Sequence, residues 1–298
     1  MKHRVEWLAA RAAVGMARLM PSRLLLAAGS VVGSLFYIVD AHHRRVAAEN
    51  VAAALPQRSA AEQRAIVRGA FRHFGQLLFE LLKWSTLTPD QMLARVEFDG
   101  EERVKAAAAQ GRGIIFVTGH FGFWELQNMV HALRLPPMAV MARAIDNPAV
   151  NEMLERMRTR TGAAVIYRQG GIRKVLRRLQ SGGAIGVLID QHVLGRDAVC
   201  VKFFDRPEAT TSAVAALALR TGALVIPLFA LPLGGGRYRM VYEPPVPPPA
   251  ADVADPIHDF TQRCTDVLEM YVRRRPDLWL WMHRRWRVEG ADVSSTEY

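Results

Sequence analysis

Two residues whose types and spacing can do chemistry, His120 and Glu125, follow an apolar run, Ile114-Ile115-Phe116-Val117-Thr118, through Gly119 and Gly122. The β-branched run reads as a buried strand over 114–118, and the glycines after it mark a turn. Residues five apart on one continuous helix sit about 140° around its axis and point apart. The pair can therefore meet only if His120 stays in a loop while Glu125 enters the first turn of a helix, predicted over 125–133. Glu125 would then accept the proton of one imidazole nitrogen and leave the other basic. That arrangement suits a general base removing a proton from an attacking hydroxyl. N–H groups at the helix start can stabilise an oxyanion or hold a phosphate. A plainer origin exists for each residue: the helix dipole alone favours Glu in a first turn, and a strand-end His can simply cap or pack.

The elements that must position this pair alternate along the chain. Further strands are predicted over 138–142, 163–167, 184–190, 224–231 and 237–242, and helices over 101–110, 148–160, 171–180, 210–221 and 257–274. This alternation predicts an α/β fold, a mixed but mostly parallel sheet flanked by helices. Ligands of such sheets bind at the carboxyl ends of the strands, where His120 would sit. Gly234-Gly235-Gly236 predicts a hairpin turn that makes the last two strands antiparallel. The five prolines between Pro244 and Pro249 predict a semi-rigid surface crossing. Upstream, residues 3–54 read as helical with breaks at Pro21-Ser22 and Leu55-Pro56. A helix over 59–84 opens on the capping signature Ser59-Ala60-Ala61-Glu62.

The chain of 298 residues carries a net charge of +11, with lysine only at positions 2, 83, 105, 174 and 202, so arginine supplies the excess. An arginine-rich, half-hydrophobic chain suggests anionic lipid, nucleic acid or an acidic protein as partner. Cys200 and Cys264 are too few for a disulfide framework or a metal site, which fits a reducing compartment. Residues 24–39 contain no charged side chain, yet fall short of the roughly 20 residues of a bilayer span. An interfacial or re-entrant anchor is the preferred reading, beside a single span or a buried helix. Arginines flank the stretch on both sides, so charge does not set an orientation.

The run Gly119-His120-Phe121-Gly122-Phe123-Trp124-Glu125 resembles the signature of bacterial lipid A biosynthesis (late, or lauroyl) acyltransferases, relatives of the glycerolipid acyltransferases with a His-x4-Asp/Glu motif. Four further segments resemble that family in order. They are His43-Arg44-Arg45-Val46-Ala47-Ala48-Glu49-Asn50, Gly186-Val187-Leu188-Ile189-Asp190-Gln191, Val201-Lys202-Phe203-Phe204 with Pro207 and Thr210-Thr211, and the Trp-rich Asp277–Trp286. Phe123 departs from the pattern, since many members carry Asn there. The resemblance implies a membrane enzyme at the cytoplasmic face of the inner membrane. It would transfer a fatty acyl group, usually from acyl carrier protein, to a hydroxyl of a membrane glycolipid, with His120 as base and Glu125 as its partner. It also implies N-terminal membrane-anchoring helices over 1–55 and a catalytic domain over 56–290; the residue reading adds a tail over 291–298.

The residues agree with this chemistry on their own terms. No Gly-x-Ser-x-Gly elbow, His-Glu-x-x-His pair or phosphate-binding glycine loop after a strand occurs. With no metal site and no cofactor expected, direct attack of an acceptor hydroxyl on an acyl carrier protein or CoA thioester is the economical route. Asp190 and Gln191 end one predicted strand, and Arg143 and Arg168 follow two others. All four belong at the sheet edge, where guanidinium groups can grip a lipid or donor phosphate. Lys202 is a weaker substrate-binding candidate. Trp279, Trp281 and Trp286, interleaved with Arg284 and Arg285, suit a membrane interface, though the same mixture can pack on the core or stack on single-stranded nucleic acid. No recognised motif supports a nucleic-acid partner. A lysophospholipid or phosphatidylinositol mannoside acceptor, or a lipid-binding protein without turnover, remain alternatives.

Overall fold

The computed structural model describes residues 2–167, 169–195 and 197–286. The chain opens with α1 (Lys2–Leu19), α2 (Ser22–Val39) and α3 (Ala41–Ala54), followed by the long α4 (Ala60–Trp84) and the short α5 (Pro89–Leu93). Pro21 cannot continue α1 and precedes α2 in extended conformation. Ser59 and Glu62 close a reciprocal capping box at the start of α4. Next come β1 (Val96–Asp99), α6 (Glu101–Ala109), β2 (Ile114–Thr118), α7 (Trp124–His131), β3 (Met138–Ala142), α8 (Pro148–Thr159), β4 (Ala164–Tyr167), α9 (Ile172–Gln180) and β5 (Ala184–Leu188). A hairpin of β6 (Ala198–Phe203) and β7 (Arg206–Thr211) precedes α10 (Ala213–Thr221). The chain then forms β8 (Leu224–Gly234), β9 (Arg237–Tyr242) and α11 (Pro256–Arg274).

The main sheet has seven strands in the order β1-β9-β8-β2-β5-β3-β4. Its pairings are parallel except β8–β9, which turn back on each other through the glycines at 234–236. Strand β2 is buried at every residue, as a central parallel strand covered on both faces must be. Three strands escape the sequence reading: β1, β6 and β7. The helix predicted from 210 begins at Ala213, because residues 206–211 pair with β6 instead. Polar residues alternate with apolar ones there, and a half-covered hairpin needs no more than that.

Apolar side chains pack both faces of the sheet, with α4 contributing to each: Ile66, Val67, Ala70 and Phe71 on one side, Leu77 and Trp84 on the other. Helix α2 lies along α4 at backbone contact. A Cβ on Gly33 would stand 2.2 Å from the Phe71 carbonyl oxygen, and one on Gly75 would stand 2.2 Å from that of Gly29. The small-xxx-small spacing of Gly29 and Gly33 permits this approach. The opposite face of α2 exposes Leu24, Val31, Leu35, Phe36, Ile38 and Val39. It is the described helix long and apolar enough to cross a membrane.

Candidate active site

Parallel pairing of β2 with β5 places Thr118 opposite Leu188. Two residues beyond each strand end stand His120 and Asp190, so the sheet register sets them side by side. The Asp190 carboxylate, 2% exposed, takes a hydrogen bond from His120 Nδ1 at 2.9 Å. Its other oxygen accepts the backbone N–H of His120 at 2.6 Å and the indole Nε1–H of Trp279 at 2.9 Å. A Cβ at Gly119 would lie 2.9 Å from that oxygen, so only glycine lets the carboxylate come this close.

The loop carrying His120 is held from three sides. Gly122 adopts φ +58 and donates to the Leu278 carbonyl at 3.0 Å, while the Phe123 N–H donates to the Ala230 carbonyl at 2.9 Å. The N–H of Leu280 returns to the His120 carbonyl at 3.2 Å. His73 on α4 reaches the Gly122 carbonyl with Nε2 at 3.2 Å, and burial pushes its pKa down to about 4, so it is a neutral donor. Trp124, the first residue of α7, packs edge-on against the imidazole at 5.2 Å. The His120 side chain remains 19% exposed. With Nδ1 committed to Asp190, Nε2 is the nitrogen left for chemistry.

Charge tunes the pair. Burial disfavours the imidazolium, but the facing Asp190 carboxylate outweighs it, Glu125 adds to the pull, and the pKa of His120 is raised. For Asp190, burial pushes upward, whereas His120, the nearby Arg285 guanidinium and the hydrogen bonds bring its pKa down to about 2.

Glu125 occupies the first turn of α7, yet it does not hold Nδ1. Its carboxylate faces α8, where Arg158 grips both oxygens in a fork, with Nε at 2.9 Å from Oε2. Asp190 therefore takes the orienting position expected of Glu125, and Glu125 acts on the ring through space. Arg158 escaped the sequence reading, because helix periodicity gave no sign that this arginine turns inward. Phe123 points away from His120 and packs on Trp84 and Tyr238 in the core.

The remaining candidates scatter. Gln191 is exposed beside Asp190, and Arg143 is exposed just beyond β3. Arg168 lies outside the described residues, as does the expected tail. Lys202 is exposed on β6, where its backbone pairs with Gln262 of α11, and it does not join His120. The expected membrane-facing cluster is corrected by burial. Trp279 and Trp281 are 1% and 0% exposed, and Arg285 is 1% exposed in an ion pair with Glu208 at 3.0 Å. Trp286 stacks on Phe203, which leaves Arg284 as the exposed member. The cause is apolar packing: Phe203 and Phe204 of the hairpin draw the indoles inward. Asn50 of α3 fixes this segment by donating to the Trp281 and His283 carbonyls, both at 2.8 Å. Among the described residues, no group of three His, Cys, Asp or Glu side chains could hold a metal ion.

Comparison with known proteins gives this arrangement a context. The profile of the bacterial lipid A biosynthesis acyltransferases matches residues 1–288. The lipid A biosynthesis myristoyltransferase of Escherichia coli (strain K12) is 26% identical over 280 residues, covering 93% of this chain and 84% of its own. The lauroyltransferase of the same organism is also 26% identical, covering 93% of this chain and 89% of its own. The phosphatidylinositol mannoside acyltransferase of Mycobacterium tuberculosis (strain ATCC 25618 / H37Rv) is 24% identical over 82% of this chain and 77% of its own. With a profile match along nearly its whole length, the chain belongs to the bacterial lipid A biosynthesis acyltransferase family.

Proposed function

We propose that this acyltransferase moves a fatty acyl group from an acyl carrier protein or CoA thioester to a hydroxyl of a lipid A-type glycolipid. The observation that carries this reading is the commitment of His120 Nδ1 to a buried carboxylate, which leaves Nε2 as a base at a sheet edge. Nε2 takes the proton of the acceptor hydroxyl as its oxygen bonds to the thioester carbonyl carbon. The first N–H groups of α7 and the Arg158 guanidinium offset the charge on the resulting oxyanion. Collapse of that intermediate breaks the C–S bond, and the imidazolium returns the proton to the departing thiolate. Asp190 and Glu125 stabilise the imidazolium in between. Gln191 and Arg143 are proposed for substrate contact at the same edge, and Arg168, outside the described residues, is proposed for substrate contact from the sequence alone. This chemistry requires no resident cofactor.

The exposed apolar face of α2, with Leu8, Met16 and Leu19 of α1, supports attachment of residues 1–55 to a membrane; that attachment is proposed at the cytoplasmic face of the inner membrane, with residues 56–290 as the catalytic part. The opposite face of α2 is occupied by α4, which favours a helix lying in the interface over an isolated span. The likeness to a phosphatidylinositol mannoside acyltransferase keeps a second glycolipid acceptor in view.

The test is mass spectrometry of membrane lipids from cells with the gene intact, deleted, or carrying His120→Ala. Loss of one acyl chain from one lipid class in both altered strains is expected and names the acceptor. An unchanged lipid profile in the His120→Ala strain would refute catalysis and leave a lipid-binding role.

A further inference from the structure

One surface groove is lined by residues other than His120 and its neighbours. About 730 Å³ of space is enclosed between α1, the turn after α4 and α8, with Trp7, Val14, Ser85 and Met153 among its walls. Arg11, Arg18 and Arg156 line it as well, and all three are exposed. Arg11 lies over the Trp7 ring at 4.8 Å, which holds its guanidinium at the groove. Glu152 pairs with Arg156 at 2.6 Å, Glu6 of α1 accepts from Asn147 at 2.7 Å, and no acidic side chain is among the described lining residues. The groove is therefore positive.

Its floor is open by construction. Gly15 also lines the groove, and a Cβ built there would meet nothing within 4 Å. Glycine inside a helix costs about 1 kcal/mol relative to alanine, and no close packing at this position demands it. Helix α8 stands between the groove and the reacting pair. Its residues 149, 153 and 156 recur at helical spacing on the groove side, whereas Arg158 falls on the opposite side and reaches Glu125. The groove is thus a separate site.

We propose that this groove binds the phosphate group of an anionic phospholipid at the membrane surface. Several guanidinium groups around one cavity match phosphate oxygens in charge and geometry. The neighbouring exposed apolar residues of α1, Leu8, Met16 and Leu19, place the groove at the depth where headgroups sit. The half-buried Trp7 suits the same depth. The inference is independent of acyl transfer.

Flotation of the purified full chain with vesicles tests it, using phosphatidylcholine alone and phosphatidylcholine with a quarter phosphatidylglycerol. The wild type should prefer the anionic vesicles. Arg11→Gln with Arg18→Gln should reduce that preference about fivefold per guanidinium. Gly15→Leu, which fills the cavity without changing charge, should reduce it comparably, while Arg173→Gln on the exposed face of α9 should not. Thermal unfolding of each variant confirms that it folds. Equal binding to both vesicles overturns the inference without touching the apolar attachment of α2. So does an unaltered preference in Gly15→Leu, which would show diffuse charge rather than a site. A thermal shift caused by inorganic phosphate alone, with vesicle preference unchanged in the variants, would assign the groove to free phosphate and overturn the lipid assignment.

Discussion

At the scale of single residues, the catalytic proposal separates into effects with different signatures. Asp190→Asn removes the anion that raises the His120 pKa and loosens the tautomer that points Nε2 outward. Turnover should fall by about 10²- to 10⁴-fold. Because the imidazole must be neutral to act, its raised pKa sets an ascending limb of the pH–rate profile, and the residual activity of Asp190→Asn should show that limb at lower pH. A limb that stays in place would assign it to another group. Glu125→Gln should also move the limb downward, with a smaller loss of rate, since Asp190 still holds the ring. Trp279→Phe removes one of three donors to Asp190 and should cost about 1.5–3 kcal/mol of stability, read by denaturant unfolding. Arg285, buried near Asp190 and paired with Glu208, is a positioning group by the same logic.

At the scale of elements, the glycines of α2 decide whether it can lie against α4. Gly33→Leu would drive a side chain into the Phe71 carbonyl and should detach the helix, measured as faster proteolysis at the α2–α3 junction and a lower unfolding midpoint. Much at this scale was legible beforehand. The alternation of apolar runs and helical periods yields β2, β3, β4, β5, β8 and β9, because strands covered by helices carry apolar residues at their buried positions. His120 and Asp190 both end such strands, so their shared edge could be read, but their contact depends on β2–β5 register, which no local pattern states. Arg158 was missed and the Trp-rich segment misread for one physical reason. Arginine and tryptophan are amphipathic, and composition alone cannot tell whether the apolar part faces lipid or core. The β6–β7 hairpin settled the matter by offering Phe203 and Phe204 as partners.

At the scale of the whole molecule, buried ionisable groups make stability depend on pH. His73 and His131 both have pKa values brought down to about 4 by burial, against roughly 6.5 in an unfolded chain. The unfolded state therefore binds protons first as pH falls, so the stability present above pH 6.5 is lost between about 6.5 and 4. The cost is on the order of 1–3 kcal/mol for each histidine. His120, whose pKa is raised, opposes this trend from the other side, since its stabilisation is full below about pH 6.5 and fades as pH rises through its folded value. Unfolding midpoints should thus drop on acidification from pH 7 to 4.5, and His131→Phe should flatten that slope. A midpoint independent of pH over this range would contradict the assigned burial.

The anchoring of residues 278–280 against the His120 loop, with Asn50 clasping the chain beyond them, has a consequence for how the enzyme is made. His120 emerges from the ribosome long before the indole and backbone groups that fix its neighbourhood. Until residues 278–283 have been made, the His120 loop lacks these partners, so the order of translation itself delays completion of the centre.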